Sequence, residues 1–389
     1  MNEKSTWRNA LSLSPFTFDQ FAQGYTYYAG KLTAKTPEEL QELYRAAGST
    51  EMFVRIGTKR KRTVLEPDNR DTNVNIHTLE DGLAHCRIAA RLGIPMNPEI
   101  MCAYTYMDVG EQQAPDFREY PEIYELQKGK AWGQLTLEEM AVVLEAYGDW
   151  IGCQIAATGC TVEHINLSNE ANFGFAGFSL GLENAVDSKL ASATGIRGYI
   201  YSAAYPSWLR RHLWEKQAYL FCALRDGLRK WFPNAAYGTH ISLLDVKSAV
   251  MQFDTLQKNG YDMDDPGVSF YPTNPSRYND RLKQLSDTIQ KINDRTGKKV
   301  FIGEFAFPSS ENMAPPFDAW TKPVKGYPLT EAGQSELYEY LRDWGKDHGL
   351  SGIRYWGPDY TPWGPMALFN FDEQTRTAHA KTLLNNFLK

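Results

Sequence analysis

Val162-Glu163-His164-Ile165-Asn166-Leu167-Ser168-Asn169-Glu170 is the stretch on which the fold turns. Val162 to Leu167 reads as a short strand that stops at a polar end carrying Asn169 and Glu170. A helical stretch precedes it, from about Leu137 to Ala157, and another follows, from roughly Ser207 to Trp231. One strand set between two long helices is the repeating unit of an α/β protein.

The alternation continues in both directions. Toward the N-terminus, Gly24 to Tyr28 reads as a strand, and Thr36 caps a helix with Pro37 at its first position and Glu38 and Glu39 in its first turn. Phe53 to Ile56 is a second strand, followed by a helix near His77 to Leu92, and Ile94 to Ala103 contains the third strand. Toward the C-terminus come strand Ala236 to Ile241, helix Asp245 to Lys258, strand Val268 to Tyr271 and helix Arg277 to Thr296. Strand Lys299 to Phe305, helix Glu331 to Asp347, strand Gly352 to Trp356 and a final helix near Thr377 to Leu388 complete the series. Eight strand–helix units predict a (β/α)8 TIM barrel. A doubly wound open sheet alternates too, but its usual Gly-rich first turn is absent.

Such a barrel needs about 250 residues, and this chain has 389. The surplus falls after strand C-termini, at 58–76, 104–135, 171–206 and 306–328, as extended βα loops over the C-terminal face. No stretch reads as a linker, so 1–389 is expected to be a single catalytic domain. The apolar fraction of 42% supplies a large core, and disorder is excluded as the main state. No apolar run reaches the length of a membrane span. A net charge of −6 gives no global attraction to nucleic acid or an anionic membrane. The aromatic fraction is 13%, with 22 Tyr and 10 Trp, and much of it lies near strand C-termini or in the long loops: Tyr104, Tyr106, Trp132, Phe173, Phe175, Phe178, Trp320, Tyr355, Trp356, Tyr360 and Trp363. Ring faces there would line a cleft.

The five cysteines match no zinc or redox spacing and read as reduced core residues. Met1 leads into Asn2, Glu3 and Lys4 with no apolar leader segment. Together these suggest a cytoplasmic protein, although a secreted chain whose signal has been removed reads the same way. None of the seven histidines forms an HxH or HExxH pattern, so no catalytic metal and no cofactor is expected.

Glu170 and Glu304 both sit where an apolar strand stops, the second in Lys299-Val300-Phe301-Ile302-Gly303-Glu304-Phe305. In a barrel, strands four and seven face each other across one end. Two opposed carboxylates there suit glycosidic cleavage, one protonating the leaving oxygen and the other attacking the anomeric carbon.

Asn169-Glu170 after strand four and Glu304 after strand seven resemble the signature of clan A retaining glycoside hydrolases. Within that clan the chain resembles family 53, the endo-β-1,4-galactanases. Val54-Arg55-Ile56 is similar to the family's Arg-bearing strand two, and Gly110-Glu111-Gln112 with Ala131-Trp132 resembles the loop after strand three. Val268-Ser269-Phe270-Tyr271-Pro272 is similar to the strand-six element, and Gly303-Glu304-Phe305-Ala306-Phe307-Pro308 to the strand-seven element. Tyr355-Trp356-Gly357-Pro358 and Ala367-Leu368-Phe369-Asn370-Phe371-Asp372 resemble the strand-eight region.

The resemblance implies a β-linked oligo- or polysaccharide substrate, β-1,4-galactan or galacto-oligosaccharide, with no obligatory protein partner. It implies Glu304 as nucleophile and Glu170 as acid/base. Asn169 would bind the sugar 2-OH, Tyr271 would donate to Glu304, and Arg55 would add positive charge beneath it. Trp356 would offer a ring face to the sugar, and His240 and Tyr104 would line the cleft. Trp132 would stack on a neighbouring sugar, with core packing the competing reading. Family members can hold calcium in their loops, and a structural calcium is left open here without a place.

The sequence departs from the family where the groove should be. The family's His-Tyr-Ser-Asp-Trp stretch is replaced by Ala103-Tyr104-Thr105-Tyr106-Met107-Asp108, and Gly57 stands where a second Arg is common. Another short β-linked oligosaccharide is therefore the alternative substrate. Two other classes compete. Gly177-Phe178-Ser179-Leu180-Gly181 matches the nucleophile elbow of a serine esterase, with Ser179 as nucleophile. A sugar-binding barrel without catalysis would lack one of the two carboxylates, and both are present. Lys59-Arg60-Lys61-Arg62 reads as a solvated loop or as a contact for an anionic substrate. Asp262, Asp264 and Asp265 do not meet the EF-hand calcium pattern.

Overall fold

A computed structural model describes residues 7–63, 75–109, 111–179 and 204–388. Eight parallel strands form its main sheet: β1 (Arg8–Ala10), β2 (Met52–Ile56), β3 (Met96–Ile100), β4 (His164–Leu167), β5 (Ala236–Ser242), β6 (Asp265–Phe270), β7 (Val300–Phe305) and β8 (Leu350–Tyr355). They run in the order β1-β8-β7-β6-β5-β4-β3-β2, the nearly closed sheet of a (β/α)8 barrel. The major helices are α1 (Pro37–Ala46), α2 (Leu79–Leu92), α3 (Leu137–Ala156), α4 (Glu215–Arg229), α5 (Val246–Lys258), α6 (Arg281–Thr296), α7 (Glu331–Asp347) and α8 (Thr382–Phe387).

The chain parts into two compact units. One comprises Met1–Phe53, Val268–Asn293 and Lys299–Lys389, and the other Val54–Gly267 and Asp294–Lys298. In the first, β8 pairs with β1, Ile353 opposite Asn9, and with β7, Ile353 opposite Ile302. Among the described residues no backbone ladder joins β1 to β2. Hydroxyls do that work instead: Ser12 Oγ accepts from Phe53 N (2.9 Å) and donates to Phe53 O (3.0 Å), and Ser49 Oγ donates to Leu11 O (2.7 Å).

In the second unit β4 lies between β3 and β5, with Asn166 opposite both Glu99 and Gly238. Side chains alternate across a strand, so Glu99, Asn166 and His240 fall on the same side of three adjacent strands. α3 starts with a capping box, Thr136 and Glu139 each bonding the other's backbone N–H at 3.2 and 2.9 Å. It packs closely on α4 through two glycines: a Cβ on Gly148 would strike the Leu224 carbonyl, and one on Gly227 the Glu145 carbonyl.

The structure corrects the two ends of the strand assignment. Thr26–Ala29 is not the first barrel strand. It pairs in parallel with Thr377–Ala380 and antiparallel with Leu32–Ala34, within a four-stranded side sheet completed by Phe369–Asp372. The barrel instead begins at Arg8–Ala10, too short and polar to show periodicity. Arg8 is buried there by its pairing with Glu51 (2.8 Å) and its place over the Phe301 ring. The final helix is likewise split, Thr377–Ala380 being strand and only Thr382–Phe387 helix. The stretch near Ser207 to Trp231 holds a π-helical turn, Arg210–Trp214, ahead of α4.

Candidate active site

Each unit carries one of the two carboxylates at the C-terminal end of a barrel strand, where βα loops build TIM-barrel sites. In the second unit Glu170 follows β4 and is 5% exposed. Its φ is +40° and that of Ser168 is +71°, the left-handed region that side-chain-bearing residues enter only under tertiary constraint. The constraint is visible: Ala171 N donates to His240 O (3.0 Å), and Gln217 and Gln252 donate to Ala171 O (2.8 and 2.7 Å). Val109 N donates to Glu170 Oε2 at 3.2 Å.

Beneath it lies a fully buried hub absent from the sequence reading. Glu99, 0% exposed, accepts from Arg55 Nε (2.6 Å) and Asn166 Nδ2 (2.5 Å) and lies 3.2 Å from His240 Nδ1. Arg55 also donates to Asn169 Oδ1 at 2.6 Å, and Asn169 Nδ2 donates to Met107 O at 2.6 Å. Arg55, Asn169 and His240 are thus brought together around one carboxylate. The alternation of Asn97 and Glu99 in β3 was the available signal, but a lone Glu in a strand does not announce its partners.

Asp108 is another residue the sequence reading did not place in the site, and Tyr106, read there only as a cleft-lining ring, bonds to it. Tyr106 Oη donates to Asp108 Oδ2 at 2.8 Å. Burial, then Asp108, and further down Glu170, push the Tyr106 phenol well above its ordinary range, with Arg55 pulling it down. Both belong to a hairpin in which Met107–Asp108 pairs antiparallel with Glu111–Gln112; Gly110 lies outside the described residues. Gly57 has a physical reason to be glycine: a Cβ there would meet Tyr104 O at 2.7 Å, so the second family Arg cannot fit. Tyr104 is exposed, with Lys59 Nζ 5.8 Å from its ring centre. Trp132 is buried, its Nε1 donating to Ala176 O (2.7 Å) and its ring 5.6 Å from Phe117.

In the first unit Glu304 ends β7 and is 4% exposed. Tyr271, one residue past β6, donates its phenol to Glu304 Oε2 at 2.5 Å. The Tyr271 ring in turn packs against Trp320 (5.0 Å) and edge-on to Trp363 (6.0 Å). Trp356 follows β8, half-buried and edge-on to Phe53. Arg354 stacks on the Phe53 ring, its guanidinium 3.4 Å from the ring centre.

The aromatic surplus is largely spent inside. Phe173, Phe175, Phe178, Tyr355 and Trp363 are all buried, which corrects the expectation that they line a cleft. The basic run makes contacts within the protein: Arg60 Nη1 donates to Glu119 O (3.2 Å), Lys61 pairs with Glu80 (3.2 Å) and Arg62 with Asp81 (2.8 Å). Asp262 and Asp264 face Lys298, and Asp265 lies 3.6 Å from His164. Among the described residues no cluster of three or more His, Cys, Asp or Glu could hold a metal. Phe178–Ser179 pairs with Gly174–Phe175 in a separate hairpin instead of ending a barrel strand; Leu180 and Gly181 lie outside the described residues.

A (β/α)8 barrel carrying a buried carboxylate at the end of β4 and another at the end of β7 is the framework of a glycoside hydrolase. The profile of glycosyl hydrolase family 53 matches residues 124–388, and the chain belongs to that family. Among solved structures it is similar to the family 53 catalytic domain of Ignisphaera aggregans, at 17% identity and TM-score 0.70, over 99% of this chain and 96% of that one. It is also similar to a fungal β-1,4-galactanase, at 17% identity and TM-score 0.69, over 98% and 99% of the two chains. A psychrophilic family 10 endo-β-1,4-xylanase shares the barrel at 13% identity and TM-score 0.52, over 99% and 96%. The protein is a retaining glycoside hydrolase of clan A. No helix among the described residues is long and apolar enough to cross a membrane.

Proposed function

We propose that this hydrolase cleaves β-1,4-linked galactan or galacto-oligosaccharide, with Glu304 as nucleophile and Glu170 as acid/base. The observation that carries the assignment is the 2.5 Å bond from Tyr271 Oη to Glu304 Oε2. A phenol donating to a buried carboxylate stabilises its ionised, nucleophilic form and fixes its direction. In the first step a Glu304 oxygen bonds to the anomeric carbon while Glu170 gives its proton to the departing glycosidic oxygen. In the second, water attacks that carbon, Glu170 takes the water's proton, and Glu304 leaves with the electron pair of the ester bond. Glu170 must start protonated, and burial raises the pKa of a carboxyl group. The Val109 N–H favours the ionised form that the second step requires. Asn169, oriented by Arg55, binds the sugar 2-OH, while His240, Tyr104, Trp132 and Trp356 complete the substrate-binding set.

A short β-linked oligosaccharide is the second reading, favoured by the Met107–Gln112 hairpin, which contacts both Asn169 and Glu170. A β-linked saccharide is the one partner either reading requires. The five unpaired thiols support a reducing compartment, the cytoplasm.

Glu304→Ala should lower turnover of β-1,4-galactan by at least about 10⁴-fold, and azide should restore part of it as a glycosyl azide. Ordinary activity in that variant would remove Glu304 from the mechanism. Products from a panel of β-linked oligosaccharides, resolved by linkage and chain length, separate the two substrate readings.

A further inference from the structure

A cavity of about 460 Å³ opens in the first unit between the start of α6, the Pro323–Lys325 segment and α7. Tyr340 and Trp344 line it from α7, one helical turn apart, with ring planes 18° from parallel and centres 6.3 Å apart. Arg281, Lys283 and Lys325 line it with three positive charges, against the single carboxylate of Asp280, whose Oδ1 is already occupied by Lys283 N (2.9 Å). Lys283 is neutralised by Asp287 at 2.8 Å. The other two are not: among the described residues neither Arg281 nor Lys325 has a carboxylate partner.

Arg281 is the informative one. It is 4% exposed, yet its contacts are all neutral: Ser276 Oγ at 3.1 Å, Tyr271 O at 3.5 Å and Gln284 Oε1, with Nε unpartnered. Burial lowers its pKa to about 10, the mark of a charge without compensation. A buried guanidinium lacking a counter-charge is costly, and an anion in the adjoining cavity would offset that cost. Two aromatic rings beside it add a preference for a ligand with an apolar C–H face.

We propose that this cavity binds an acidic saccharide, a uronate whose ring face rests on Tyr340 and Trp344 and whose carboxylate is drawn to Arg281 and Lys325. The proposal shares no residue with the carboxylate pair and depends on neither substrate reading. The volume falls in the range of small-ligand sites. Such a site would hold the enzyme on a polymer carrying acidic sugars while neutral linkages are cleaved elsewhere on the molecule.

Calorimetric titration of the full chain with oligogalacturonate tests this, with galactotetraose and inorganic phosphate as separate probes. One site per chain is expected, weakening at least about fivefold as ionic strength rises from roughly 0.01 to 0.15 M. Lys325→Glu and Tyr340→Ala should each weaken it about tenfold, leaving hydrolysis of a neutral chromogenic β-galactoside unchanged. Absence of binding, or binding in either variant as tight as in the unsubstituted protein, overturns the proposal. So does competition between oligogalacturonate and the hydrolysed substrate. Phosphate binding as tightly overturns the saccharide assignment, and galactotetraose binding as tightly overturns the role of the charge.

Discussion

Glu99 shows how much one side chain can organise. Its two oxygens serve Arg55, Asn166 and His240, so its removal takes a buried counter-charge from the Arg55 guanidinium. Glu99→Gln should cost about 3–5 kcal/mol in urea unfolding. It should also lower kcat by roughly 100-fold, because Asn169 is oriented through Arg55. A variant of native stability and activity would reduce Glu99 to a bystander. Asp359 makes a different residue-scale case. It is fully buried, accepting from Ser14 N (3.0 Å) and Thr17 Oγ1, and burial raises its pKa to about 6. The unfolded chain then ionises first as pH rises. This group's contribution to stability is full below about pH 4 and falls by about 3 kcal/mol by pH 6 to 7. Unfolding free energies of Asp359→Asn should lack that decline; the same slope in both proteins would assign it to other groups.

At the scale of elements, the helices were the most legible part of the chain. Thr36 caps the helix it precedes, as its place before Pro37 implies, and the structure shows Thr136 and Thr330 doing the same for α3 and α7. Strands whose neighbours satisfy their polar groups were harder. β1 is three residues, and its Arg8 is met by Glu51, far along the chain, and by the Phe301 ring. Thr26–Ala29 carries the better strand pattern yet joins the side sheet, since a period of two reports one buried face and not which sheet supplies it. The contact of α3 with α4 depends on Gly148 and Gly227. Gly227→Ala should lower stability by about 3 kcal/mol, measured by thermal and urea unfolding, since the colliding atom is a backbone carbonyl. A neutral substitution would show that the helices separate freely.

For the whole molecule, the thiols report on the redox state the chain needs. Cys86, Cys102 and Cys160 are buried and Cys153 and Cys222 half-buried, all unpaired. A thiol reagent should titrate five groups in denaturant and fewer in the native protein. Three groups in denaturant would instead reveal a disulfide. The barrel itself was legible because eight units of alternating period leave few other architectures, and the surplus length after strands could go only to loops. The aromatic surplus was legible as a number and misleading as a location: whether a Phe in a long loop meets solvent or the Phe221 ring is settled by packing.

The order of strands and helices, the two carboxylates at strand ends and the Asn before one of them follow from local pattern, because period, capping and the end of an apolar run are properties of neighbouring residues. The pairing of Arg8 with Glu51, the Glu99 hub and the uncompensated Arg281 belong to the tertiary structure alone. Each depends on residues distant in sequence, and the free energy of a buried charge or hydrogen bond is decided by what surrounds it, not by what precedes it in the chain.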